Sequence, residues 1–108
     1  MSLVEKYLAA RDEHESAKDQ LRIIAFILKD VARHIERRPD ETCFGNLPDN
    51  DADRPRPGDK SFDATEFPDP VTIQRALDRR TDTFAALMDV WMAMPEQMKR
   101  GLLPPRAG

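Results

Sequence analysis

The chain is poor in most of the features that announce a chemistry. One cysteine, Cys43, stands in 108 residues, so no internal disulfide can form. With no second thiol or histidine pair at ligand spacing, it does not read as a zinc site either. No activating motif surrounds it, which makes it an incidental thiol. Glycines number four, and none belongs to a GxGxxG or phosphate-cradling loop. Neither charge sign dominates: seventeen Lys and Arg against twenty Asp and Glu leave a formal net charge of -3, without the basic bias of a general nucleic-acid binder. Long apolar runs are missing as well. The longest, Ile23 to Leu28, falls far short of a membrane span, and Met1-Ser2-Leu3-Val4-Glu5-Lys6 breaks into charges too soon for a signal peptide. A soluble, cytoplasmic protein with no membrane partner is expected. Because Ser/His/Asp, Cys/His and HExxH arrangements are also absent, no enzyme, cofactor or metal is expected.

What the sequence does have is periodicity. Apolar or small residues recur at alternating fours and threes through Leu3, Tyr7, Ala10, His14, Ala17, Leu21, Ile24, Leu28, Val31 and Ile35, the seam of an amphipathic helix. Neither Gly nor Pro interrupts it before Pro39, so a helix over 2–38, about 55 Å long, is predicted. Lys29, Arg33, Arg37 and Arg38 suit the negative end of its dipole. Between Leu21 and Leu28 only Arg22 is charged. One buried stripe would need about half of those residues to be apolar, so this segment must be covered on more than one side.

Residues 39–69 change character, with five prolines and nine acidic side chains against three basic ones. They predict an extended loop without helical or strand period, disordered over Asn50 to Lys60 and pinned at its ends by Phe44, Phe62 and Phe67. Asp69-Pro70 then reads as an N-cap and first helical residue. A second helix over 70–94 follows, with the seam Ile73, Leu77, Arg80, Phe84, Leu87, Trp91, Met94 and Met98. Pro95 restarts a short helix over 95–100, Gly101 closes it, and 101–108 form a tail.

These elements predict a single all-α domain, a long antiparallel two-helix hairpin whose Pro/Asp-rich loop joins neighbouring ends and whose dipoles pack head to tail. Matching the most apolar stretches places Phe84 near Ile24. An isolated hairpin would leave an apolar patch in water, so the chain is expected to form a homo-oligomer, most simply a dimeric four-helix bundle. The interface would comprise Ile23, Phe26, Ile27, Phe84, Met88, Trp91 and Met92.

Few side chains point to a site. Asp12, Glu15, Asp19, Asp78, Asp82 and Asp89 were candidates for the paired carboxylates that hold magnesium in all-helical pyrophosphatases, but the heptad assignment puts all six on outer faces. Asp30 and His34 have i, i+4 spacing and read as a solvated contact, and His14 reads as a partly buried seam histidine that sets register. The most informative cluster is basic. Arg33, Arg37 and Arg38 should meet Arg75, Arg79 and Arg80 at the loop end of the hairpin, with Thr81 and Thr83 nearby, an inventory suited to phosphate. The acidic loop folding back over these arginines is the structural alternative, and Asp30 is the natural partner for the seam Arg80. The function expected is that of a non-enzymatic helical interaction protein, an adaptor, assembly factor or small inhibitor, that binds another macromolecule through the loop or tail. Its size and acidity suit a phage or mobile-element inhibitor. The alternative is an oligomeric sponge or sensor that binds a phosphorylated small molecule, such as a nucleotide, through the arginines.

Overall fold

A computed structural model describes residues 2–47 and 60–106. The described chain is mostly helical: α1 spans Leu3–Arg37, α2 Pro70–Ala93 and α3 Glu96–Lys99. It also holds two short strands, β1 (Thr42–Gly45) and β2 (Lys60–Asp63). Ser2 caps α1, its Oγ accepting the Glu5 amide proton at 3.1 Å and its carbonyl that of Lys6 at 3.0 Å. Pro39 stops the helix by opening a 3-10 turn, Pro39–Glu41. The Thr42 hydroxyl then reaches back to the carbonyls of Arg38, at 2.7 Å, and His34, at 3.2 Å. Both carbonyls also accept backbone amide protons, that of His34 from Arg38 at 2.8 Å and that of Arg38 from Glu41 at 3.1 Å, so the hydroxyl adds a further contact at the helix end. Gly101 takes φ +81 after α3, a conformation open to it because it has no Cβ. No helix among the described residues is long and apolar enough to cross a membrane.

The chain divides into two compact units, residues 1–22 with 71–108 and residues 23–70. In the first, the helix-pair unit, α1 and α2 run antiparallel. Tyr7 stacks at 5.2 Å on Trp91, His14 at 5.4 Å on Phe84, and Arg79 reaches Gln20 at 3.0 Å. Tyr7, Leu87 and Met94 form its core, with Leu3, Val4, Leu8, Val90 and Leu102 packed around them. The expected register is corrected here: Phe84 lies against His14, ten residues N-terminal to Ile24. Size complementarity is the reason, since the large side chains of α2 find room against the half of α1 whose seam is small, where Ala17 is fully buried and Ala10 packs on the core. Ala76, outside the seam read from sequence, is buried, whereas Leu77 and Met98 are exposed.

The second unit, the strand-pair unit, corrects the expectation of a loop without strands. β1 and β2 pair in parallel, Thr42 with Lys60 through Gly45 with Asp63. Of the stretch predicted to be disordered, Lys60 begins β2, and 50–59 lie outside the described residues. Two strands are marginal alone, and aromatic packing supports them. The register partners Phe44 and Phe62 stack at 5.9 Å, Phe67 meets Phe44 edge-on at 5.5 Å, and His34 of α1 meets Phe62 edge-on at 5.4 Å. Ile24 and Val31 are the buried residues that α1 contributes to this unit.

Candidate functional site

The last turns of α1 and the start of β2 enclose a cavity of about 410 Å³ lined by Arg33, Arg37, Arg38, His34, Lys60, Asp30 and Glu41. Helical spacing puts Asp30, Arg33, His34 and Arg37 on one face, and Lys60 reaches the cavity because β2 pairs beside β1, which follows the helix directly. Four cations face two carboxylates. Asp30 Oδ1 lies 3.4 Å from both Arg33 and His34, and Glu41 lies 3.4 Å from Arg38. Each of these pairs is partly or largely solvated and weak. Arg37 has no ion pair among the described residues. The His34 imidazole donates from Nδ1 to the Asp30 carbonyl at 2.8 Å, which fixes its ring against Phe62.

A shallow apolar groove of about 180 Å³ adjoins this cavity and shares Asp30 and Lys60 with it. Phe26, Ile27, Phe62 and Phe67 form its apolar walls, and Asp63 and Glu66 line it as well. Phe26 is 66 % exposed and the neighbouring Ile23 is 62 % exposed, although both come from the most apolar stretch of the chain. In the lining of the groove, Asp63 accepts the Thr65 hydroxyl at 2.6 Å and the Thr65 amide at 2.9 Å. Those bonds, with a further one from Asn46, hold its carboxyl below the ordinary aspartate range.

Of the eight residues expected to bind an anion, Arg33, Arg37 and Arg38 belong to the strand-pair unit and Arg75, Arg79, Arg80, Thr81 and Thr83 to the helix-pair unit. Arg33, Arg37 and Arg38 share the cavity, but its lining includes none of Arg75, Arg79, Arg80, Thr81 and Thr83. Arg79 instead directs its guanidinium at Gln20, at 3.0 Å, Ser16, at 3.3 Å, and Glu13, at 3.4 Å. Thr81 donates to the Leu77 carbonyl and Thr83 to that of Arg80. The shifted register places this stretch of α2 beside Glu13 to Gln20. The Asp30 carboxylate, expected to serve Arg80, is engaged by Arg33 and His34. Of the expected interface residues, Ile23, Phe26 and Met92 are exposed, Ile27 and Met88 are half-buried, and Phe84 and Trp91 spend a ring face on His14 and Tyr7 within the chain. Lys60 and His34 were not foreseen in the cavity. Only the spacing of His34 from Asp30 hinted at it, and nothing announced Lys60. Among the described residues no group of three or more His, Cys, Asp or Glu side chains is placed to hold a metal ion. No protein-family model, no curated protein and no solved structure matches the chain.

Proposed function

We propose that the chain is a non-enzymatic helical interaction protein that associates with copies of itself and binds another macromolecule through its strand-pair unit. The observation that carries this reading is the exposure of Phe26 at the mouth of an apolar groove continuous with a cation-lined cavity. Exposed aromatic surface rimmed by charge is what a partner with apolar anchors and carboxylates recognises. A tagged wild type should capture a defined partner from its native host, and Arg37→Glu, which lies outside the expected self-association interface, should lose it while keeping the wild-type mass. Retention of the partner by Arg37→Glu would overturn the assignment of the surface.

A second reading is supported by the cavity itself. Its volume of about 410 Å³ is in the range of small-molecule sites, and the arginine forks match a phosphate group. A nucleotide held there should raise the melting temperature by mass action. No shift with a broad nucleotide panel at millimolar concentration would remove this reading and leave the first standing.

A further inference from the structure

The two adjoining depressions of the strand-pair unit are opposite in charge. In the cavity, Arg33, Arg37, Arg38 and Lys60 outnumber Asp30 and Glu41, whereas in the groove Asp30, Asp63 and Glu66 outnumber Lys60. A ligand that occupies both therefore needs an anionic end, a flat apolar body and a far edge that donates hydrogen bonds. Asp30 lines both depressions and lies two helical turns from Arg37, about 10 Å at the rise of α1. A mononucleotide covers such a distance from phosphate to base.

Partners already in place leave few groups free on either side. In the cavity, Arg33 is held by Asp30 and Arg38 by Glu41. Arg37 and Lys60 are exposed and in no ion pair among the described residues. Two free cations balance the dianion of a phosphate monoester, and the Arg37 fork can grip two of its oxygens. Lys60 stands at the junction, its Nζ 5.3 Å from the Phe62 ring centroid. In the groove, Asp30 is engaged by Arg33 and His34, and Asp63 accepts from Thr65 and Asn46. Glu66 is exposed, and its carboxylate has no hydrogen bond or ion pair among the described residues. Phe26, also exposed, has no ring partner among them and offers a flat face for stacking.

We propose that the strand-pair unit binds a guanosine monophosphate, with its phosphate on Arg37 and Lys60, its base on Phe26, and its N1–H and N2 amino group donating to Glu66. Guanine is the base whose edge presents two adjacent donors, which match the two oxygens of a carboxylate. Adenine and cytosine set one amino group beside an acceptor, and uracil sets one N–H between two carbonyls that Glu66 would repel. It rests on the second reading, a phosphorylated small molecule in the cavity, and specifies which one.

Calorimetric titration of the full chain in phosphate-free buffer tests this at about pH 7.5, where the phosphate is mostly dianionic. The ligands are guanosine monophosphate, inosine monophosphate, which lacks only the N2 amino group, and inorganic phosphate. Guanosine monophosphate should bind about tenfold more tightly than either of the others, because each lacks contacts that the site is built to make. Arg37→Gln should weaken both nucleotides about tenfold and keep their ratio, whereas Glu66→Gln should bring guanosine monophosphate down to the inosine value. Both positions are exposed, so each variant should keep wild-type helicity. Equal affinity for the two nucleotides, or a preference that Glu66→Gln leaves intact, would overturn the proposal while the second reading stands. Inorganic phosphate binding as tightly as the nucleotides would also overturn it, since the groove then takes no part. No binding of either nucleotide at millimolar concentration, with none by the wider nucleotide panel, would remove the proposal and the second reading together.

Discussion

Tyr7 stands where the core and the tail meet. Its ring is fully buried against Trp91, and its hydroxyl donates to the Leu103 carbonyl. Burial raises its pKa, with Arg11 opposing in part, so the phenol remains a donor. Tyr7→Phe keeps the ring and removes one hydrogen bond, at an expected cost of about 1 kcal/mol in urea denaturation. It should also speed tryptic cleavage after Arg100, because the tail loses its tether. Asp63 offers a pH test. Its folded pKa is depressed by the Thr65 hydroxyl first, then the Thr65 amide and Asn46. The stability it contributes is therefore complete above the unfolded aspartate value, about 3.9, and is lost as pH falls through the lower folded value. Urea titrations between about pH 5 and pH 2 should show a shallower acid loss in Asp63→Asn than in wild type.

At the scale of the element, the strand pair is the part most dependent on a few side chains. Phe62 touches His34 and Phe44, and Lys60 lies 5.3 Å from its ring centroid. Phe62→Ala should cost about 2 kcal/mol, less than truncating a fully buried Phe. Hydrogen exchange should then quicken over 42–45 and 60–63 while far-UV helicity is preserved, since the Tyr7–Trp91 and His14–Phe84 contacts do not involve Phe62. A collapse of helicity would show that the strand pair holds the helices. Residues 50–59 should be replaceable by a Gly/Ser linker of equal length without loss of helicity, because closure entropy varies slowly with the nature of a long connection.

At the scale of the whole molecule, self-association is the expectation with the widest consequence. Ile23 and Phe26 in the strand-pair unit, and Met92 in the helix-pair unit, each present a large apolar side chain to solvent, Met92 at 73 % exposure, and small domains commonly cover such surface by assembling. The melting temperature should therefore rise with protein concentration, as it does whenever folding and association are linked. Phe26→Glu should abolish that dependence and lower the mass seen by light scattering, because a charge in the interface meets a desolvation penalty of several kcal/mol. A wild type that remains monomeric at tens of micromolar would refute assembly.

The sequence by itself determined the long first helix and its buried face. Every residue of the seam from Leu3 to Val31 is buried or half-buried, and Ile35 alone turns out exposed, because a spacing of fours and threes is a local property of helical geometry. Pro39 and Pro70 likewise fixed where helices stop and start by local sterics. Register and pairing were decided only in three dimensions. The contact of Phe84 with His14 follows from fitting large side chains against small ones across sequence-distant segments. Four-residue strands such as Thr42–Gly45 and Lys60–Asp63 are too short for alternation to be read, and their parallel partnership is a non-local choice. For the same reason only Arg33, Arg37 and Arg38, neighbours on one helical face, were legible as part of the cavity. Lys60 arrives through the strand pairing, and the contact of His14 with Thr83 joins residues 69 apart in the chain, beyond the reach of any local spacing.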